Sequence, residues 1–287
     1  MSTRSEGHPG AVFGLLPLLI WYGLFLLIPM ASLVREVVVS PDGAGSVVSN
    51  TLRSPAYVRI MGHTLAIAFE VAFFATLIAV AVAWVYQRSG DRGRLWLEFC
   101  LFGPLMLSFL VKTYGFIVLL QRKGAVNSVL IAVGVVDDPM KLLYTRHGVV
   151  IIMTYLLFPF ATVPAVTGFK MFDSRLKSVA AACGASRVET FLRVTLPQLL
   201  PGVLLGSGMV FLSAFGFYIV PALAGGPKET TYSLAIDALL NVSFDWPSAA
   251  VLSLVGILVV VVLLVISGLL LSHRRLRFLL AGFGGRQ

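Results

Sequence analysis

Apolar residues fall in six runs, longer and more continuous than the half-apolar helices or alternating strands of a water-soluble domain. The runs cover roughly 11–34, 64–86, 95–120, 147–169, 198–223 and 248–272. Each approaches the ~20 residues that an α-helix needs to cross the bilayer core. The strict alternation of a membrane β-barrel is absent. The pattern predicts an all-α membrane protein with six transmembrane helices, forming a single transmembrane domain over 1–287. The first run carries Pro17, Trp21, Tyr22 and Pro29 and lacks a small-residue cleavage site, so it is expected to stay as a helix.

The polar connections set an orientation. One group holds Arg4, then Arg88, Arg92 and Arg94, then Lys170, Arg175, Lys177, Arg187 and Arg193, then Arg274, Arg275, Arg277 and Arg286. The other holds Arg35, Arg53, Arg59, Arg122, Lys123, Lys141, Arg146 and Lys228, with acids interspersed. The first group is larger and sits in short loops and tails, so it is expected on the cytoplasmic side, with both termini. On the outer side, residues 127–133 can form a short helix ending at Gly134, and Asp137-Asp138-Pro139 turns the chain back. That helix is either an interfacial shield or a docking platform.

Composition sharpens the class. Hydrophobic residues make up 58% of the chain and charged residues 12%, about half the charge of an ordinary soluble domain. The net charge of +9 fits positive-inside loops and anionic headgroups. Nucleic acid is not an expected partner, because no basic stripe carries interleaved aromatics. Cys100 and Cys183 fall on or near the expected cytoplasmic side, where neither a disulfide nor a metal site is expected. No G-x-x-x-x-G-K-[ST] phosphate loop is present, so the chain is not expected to hydrolyse ATP. Zincin and nucleophile-elbow motifs and paired catalytic carboxylates are missing too, which argues against an enzyme. No internal repeat of the secondary-transporter kind is evident.

The loop over 174–202, between the fourth and fifth runs, is more elaborate than a connection requires. Its 179–183 stretch is small and apolar, suited to close backbone contact, and Gly184 breaks or bends the helix. Ser186 can cap the next helical stretch, with Glu189 three residues on as in a capping box. Phe191 and Val194 form an apolar ridge at i and i+3, beside Arg187 and Arg193. Pro197 ends that helix, and Pro201-Gly202 shapes the start of the fifth span. The segment is either an amphipathic helix on the membrane surface or a docking element for another protein.

The pattern G-A-S-x(4)-F-x-x-V-x-L-P-x(3)-P-G resembles the cytoplasmic coupling motif of ABC-importer permease subunits. The likeness extends through Pro104, Lys112-Thr113-Tyr114-Gly115, Asn127, Gly134, Pro139 and Leu142-Leu143-Tyr144-Thr145. It continues in Leu157-Phe158-Pro159-Phe160, Pro164, Gly225-Gly226-Pro227 and Asp245-Trp246-Pro247, which resemble the spermidine/putrescine branch. The resemblance implies the type I importer permease fold in the bacterial inner membrane. It further implies a second permease subunit, two ATPase subunits carrying ATP and Mg, and a soluble binding protein outside the membrane. No cofactor is then expected on this chain. Ala180, Gly184, Ala185, Ser186, Phe191 and Pro197 would be the ATPase-coupling residues. Two positions depart from the family pattern: Ser178-Val179-Ala180 stands where Glu-Ala-Ala is usual, and Ala222 stands where polyamine permeases tend to carry a carboxylate.

Glu70 and Lys112 fall deep inside the runs, where burial is expensive and usually functional. Glu70 lies about six residues, roughly 9 Å, below the outer end of the second run, and Lys112 about eight residues, roughly 12 Å, below that of the third. Either they form an interhelix ion pair, or Glu70 faces the pathway as a cation ligand. Tyr114, Tyr155, Phe215, Phe217 and Tyr218 can line a cation path or simply pack. Gly216 and Pro221 can loosen the fifth span. Asp237 is a gate residue or a solvated one. The reading is an importer permease for polyamines working by alternating access. Its alternatives are a permease for ferric iron, phosphonates or opine-like compounds, and a gradient-driven secondary transporter.

Overall fold

The computed structural model describes residues 9–41, 43–170 and 175–272. Arg4, Arg274, Arg275, Arg277 and Arg286, which help set the expected orientation, lie outside the described residues. So do the side chains of Lys170, Lys177, Ser178 and Arg187. The regular elements among the described residues are all helical. In chain order they are α1 (Pro9–Val38), α2 (Ala44–Arg53), α3 (Pro55–Arg88), α4 (Asp91–Phe102), α5 (Phe109–Leu120), α6 (Ala125–Ala132) and α7 (Arg146–Lys170). Then follow α8 (Arg175–Ala182), α9 (Arg187–Thr190), α10 (Leu196–Phe215), α11 (Ile219–Ala224), α12 (Tyr232–Asn241) and α13 (Trp246–Ser272). Among the described residues, six stretches are long and apolar enough to cross a membrane: Ile20–Val38, Pro55–Arg88, Phe109–Ala132, Arg146–Phe169, Pro197–Phe215 and Trp246–Ile266.

Two of the apolar runs are interrupted. Over 95–120 the chain forms α4, a 3₁₀ turn (Pro104–Met106) and α5 rather than one helix. Pro104 lacks the N–H that would continue α4, and Ser108 starts α5 by accepting the Leu110 N–H on its hydroxyl at 3.3 Å. Over 198–223, α10 stops at Phe215 and α11 resumes at Ile219, with Gly216 at the break.

The chain divides into two compact units, and the chain up to Pro55 joins Ile236–Val262 in one of them. The core of that unit is Val37, Val47, Ala250 and Val251, extended by Leu33, Val48 and Leu254. Asp245 caps α13 by accepting the Ser248 N–H at 3.1 Å, as its Asp-Trp-Pro sequence predicts.

The other unit comprises Ala56–Ala235 and the chain from Leu263 onward. At its centre α7 and α10 approach through small residues. A Cβ on Gly202 would sit 2.6 Å from the Pro164 carbonyl oxygen, and one on Gly206 would sit 2.6 Å from that of Ala161. Gly168 faces Gly202 and Leu199 at ordinary van der Waals distance. Gly202 and Gly206 are four residues apart, the G-x-x-x-G spacing that lets membrane helices touch backbone to backbone. Around this contact Ile152, Met153, Leu156, Leu157, Leu199 and Val210 are fully buried.

At the other end of the same unit, Asn127 is buried. Its amide donates to the Gln121 and Met140 carbonyls and its oxygen accepts the Met140 N–H, fixing the short helix α6. Helix α6 ends at Gly134, which has φ +74°, where the sequence predicts its end. Gly226 lies against Tyr144, whose oxygen would be 2.5 Å from an added Cβ, so the Gly-Gly-Pro turn admits no larger residue there.

Gly206→Ala is expected to destabilise the solubilised protein by about 1–3 kcal/mol, because the added methyl must displace backbone. Gly208→Ala meets nothing within 4 Å and is expected to be neutral or stabilising by up to about 1 kcal/mol. Thermal unfolding of the two variants decides; equal shifts would refute the close α7–α10 contact.

Candidate functional site

The loop singled out in the sequence folds into a helix–elbow–helix. Helix α8 ends with the Ala185 N–H donating to the Ala180 carbonyl and the Gly184 N–H to that of Ala181, both at 3.0 Å. This is a Schellman ending, which needs one residue in the left-handed region, and Gly184 occupies it at φ +79°. The capping box forms immediately after. Glu189 N–H donates to the Ser186 hydroxyl at 3.2 Å, and Ser186 N–H donates to Glu189 Oε2 at 3.3 Å. Backbone at both sides of the elbow is therefore satisfied locally, and the turn holds its shape without neighbours. A groove of about 360 Å³ opens on it, walled by Ala180, Gly184, Ala185, Glu189 and Arg193.

Beyond the elbow the geometry departs from a plain α-helix. Phe191–Thr195 is a π-helical turn, in which Thr195 Oγ1 donates to the Thr190 carbonyl at 3.4 Å. Phe191 is exposed on it. Contrary to the sequence expectation, Pro197 does not end the helix: the helical path continues from Arg187 through the π turn into α10, and the wider π turn just before Pro197 accommodates its missing N–H.

The predicted pathway residues separate into groups. Glu70 and Tyr155 line an open groove of about 920 Å³ between α3, α5 and α7, with Phe69, Phe73, Phe116 and His147. Tyr155 packs on Phe116 with ring centroids 4.7 Å apart. Glu70 does not pair with Lys112. Both its oxygens are taken by Arg146, whose Nη2 donates to Oε1 at 2.6 Å and Nε to Oε2 at 3.1 Å. The physical reason is reach: Arg146 opens α7, and α3 runs outward past Glu70 to Pro55, so the two helices bring these side chains level. Sequence reasoning treated Arg146 only as an outer-loop charge. No motif marks it, and only the fold makes it a partner.

Lys112 and Phe217 form a second group, at the two helix breaks. Lys112 Nζ lies 4.5 Å from the centroid of the Phe109 ring, and that ring meets Phe217 edge-on at 5.6 Å. The Phe217 carbonyl, freed where α10 stops, accepts the Ser233 hydroxyl at 2.9 Å. Phe215 is buried and stacked on Tyr232 at 5.8 Å, a packing position. Tyr114 and Tyr218 are exposed. Asp237 accepts the Asn241 amide at 2.7 Å on the exposed side of α12.

With this geometry in view, comparison with known proteins identifies the architecture. A family model described as "Binding-protein-dependent transport system inner membrane component" matches residues 75–278. The chain belongs to that family. It is a multi-pass inner-membrane permease subunit, a transport component. Among its relatives, the spermidine/putrescine transport system permease protein PotB of Salmonella typhimurium (strain SL1344) is 29% identical over 86% of this chain and 88% of its own. PotB of Escherichia coli (strain K12) is also 29% identical, over 82% of this chain and 88% of its own. Among solved structures, a chain of a bacterial ABC transporter that imports the acidic polysaccharide alginate superposes with TM-score 0.73 at 18% identity. That match covers 91% of this chain and 94% of the other, and it shows the permease fold.

The Glu70–Arg146 bridge is bidentate, but its side chains are 39% and 34% exposed, so its net worth is about 1 kcal/mol or less. A double-mutant cycle of Glu70→Gln and Arg146→Gln on thermal stability is expected to return a coupling of that size. A coupling energy indistinguishable from zero would mean that the bridge orders the groove wall without stabilising it.

Proposed function

We propose that the chain is half of the translocation path of an ATP-driven importer for polyamines such as putrescine and spermidine. What carries this reading is the self-supported elbow at Gly184–Ser186, a small-residue surface with an exposed Phe191 beside it, in a chain resembling polyamine permeases over most of its length. The segment 174–202 is the coupling loop, with Ala180, Gly184, Ala185, Ser186, Phe191 and Pro197 meeting a separate ATPase that carries ATP and Mg. No cofactor sits on this chain. A second, related permease completes the path, a binding protein delivers substrate from outside, and both termini face the cytoplasm.

Closure of the ATPase pair would move the elbow, and α10, joined to it through the π turn, would carry that motion to α7 through the Gly202–Gly206 contact. The path would alternate between outward and inward openings. Aromatic faces suit alkylammonium groups. Tyr155, with Phe116 beside it, lines the groove near Glu70, while Tyr114, Phe217, Tyr218 and Lys112 belong to α5 and the α10 break. Because Arg146 occupies both Glu70 oxygens, Glu70 serves here as a structural anchor of the groove rather than a free cation ligand. The same clamp counts against a gradient-driven transporter cycling protons at Glu70. Carboxylates for the substrate would come from the partner permease, consistent with Ala222 in place of an acid. Ferric iron, phosphonates and opine-like compounds remain the competing substrates, and the assay below separates them.

The complex assembled in lipid vesicles with its ATPase and binding protein is expected to raise its ATPase rate severalfold on adding spermidine or putrescine. A basal rate indifferent to polyamines but raised by another solute would keep the importer and replace the substrate. Gly184→Arg is expected to abolish ATP-driven uptake, since the side chain fills the docking face and the backbone there disfavours any L residue by about 1–2 kcal/mol. Full uptake by a well-expressed Gly184→Arg complex would sink the coupling role of this elbow.

A further inference from the structure

Lys112 is only 9% exposed, yet among the described residues it has neither an ion-pair nor a hydrogen-bond partner. Its stem is what is buried, while the ammonium keeps some contact with solvent, which lessens the cost of standing without an acid. What Lys112 does have is the face of Phe109, with its ammonium 4.5 Å from the ring centroid. An ammonium over a half-buried ring is attracted by the ring quadrupole, so this face already acts as a cation subsite.

Phe109 is the first residue of α5, immediately after the break at Pro104–Ser108, and its edge meets Phe217 in the break between α10 and α11. Two interrupted helices therefore meet at one aromatic pair. Irregular backbone is tolerated at membrane depth where it lines a cavity or is buried in protein. Ser108 and Ser233 satisfy backbone groups on either side, leaving the ring faces as the chemically distinctive surface.

The lysine side chain is a four-carbon stem ending in a primary ammonium. That is the aminobutyl group found in putrescine and at one end of spermidine. We propose that Lys112 is a tethered stand-in for substrate: it occupies the Phe109 ammonium subsite in the empty permease and yields it to a primary alkylammonium group during transport. This rests on the polyamine reading given above. In this arrangement the substrate replaces a charge of the same sign, so the path never holds an empty cation site. The lysine also acts as a built-in competitor that keeps affinity low enough for release. Phe109 is then a substrate-binding residue, and Lys112 a competitor that sets affinity.

The test is equilibrium binding of radiolabelled spermidine to the assembled complex in lipid nanodiscs, without binding protein. The variants are Lys112→Gln, Lys112→Arg, Phe109→Ala and the double variant Lys112→Gln/Phe109→Ala, each checked for assembly by size-exclusion chromatography. Lys112→Gln is expected to tighten binding by about three- to tenfold, between the worth of an exposed and of a desolvated cation–π contact. Lys112→Arg keeps the charge and should not tighten binding. Phe109→Ala should erase the gain in the double variant. Unchanged or weaker binding in Lys112→Gln, including no measurable binding to any variant, overturns the proposal. Wild-type uptake of spermidine is measured separately; its absence would remove the polyamine reading itself.

Discussion

Backbone-to-backbone contact between α7 and α10 is the constraint on which the rest of the larger unit depends. Two helices can approach this closely only where one of them presents no side chain at the contact, and Gly202 and Gly206 supply that gap against the carbonyls of Pro164 and Ala161. In hydrocarbon there is no hydrophobic gain from bringing apolar helices together, so close van der Waals packing has to hold them. The large residues buried nearby, Ile152, Met153, Leu156 and Leu199, then pack around a fixed axis. Helix α7 in turn carries Arg146 at its outer end, and so the position of the groove that holds Glu70 follows from the same contact.

The interrupted helices are the second organising feature. A break exposes N–H and C=O groups that lipid cannot satisfy, so each break comes with its own polar neighbours. Ser108 serves α5, and Ser233 serves the carbonyl of Phe217. These small hydroxyls allow aromatic side chains, instead of backbone, to face the space between the breaks. The result is a local chemistry of rings and one lysine at the two breaks.

Much of this was legible in the sequence, and the failures have particular causes. The elbow could be read residue by residue, because Gly184, Ser186 and Glu189 act through local hydrogen bonds whose spacing is fixed by the helix itself. Helix α6 and its end at Gly134 were readable for the same reason. The third run was expected as one helix; hydropathy is blind to the loss of a single donor at Pro104, although the proline itself was in view. Glu70 and Lys112 have similar expected depths and opposite charges, yet they do not pair. Depth says nothing about which faces of two helices meet, and Arg146 lay just beyond the end of its apolar run. The G-x-x-x-G spacing at Gly202 and Gly206 was present to be read and marks the backbone-to-backbone contact of α10 with α7.

The π-helical turn at Phe191–Thr195 carries a consequence for register. A π turn accommodates one residue more than an α turn, which advances the angular phase of everything after it by about 100°. The face on which Phe191 stands and the face on which Gly202 and Gly206 stand are thus offset by a fixed twist that a regular helix of the same length would lack. A homologue or chimera of the same length that lost the π turn would keep every motif residue and still aim its glycines away from α7, whereas one with a single residue fewer between Ser186 and Pro197 could close the segment as a regular helix and keep them facing it.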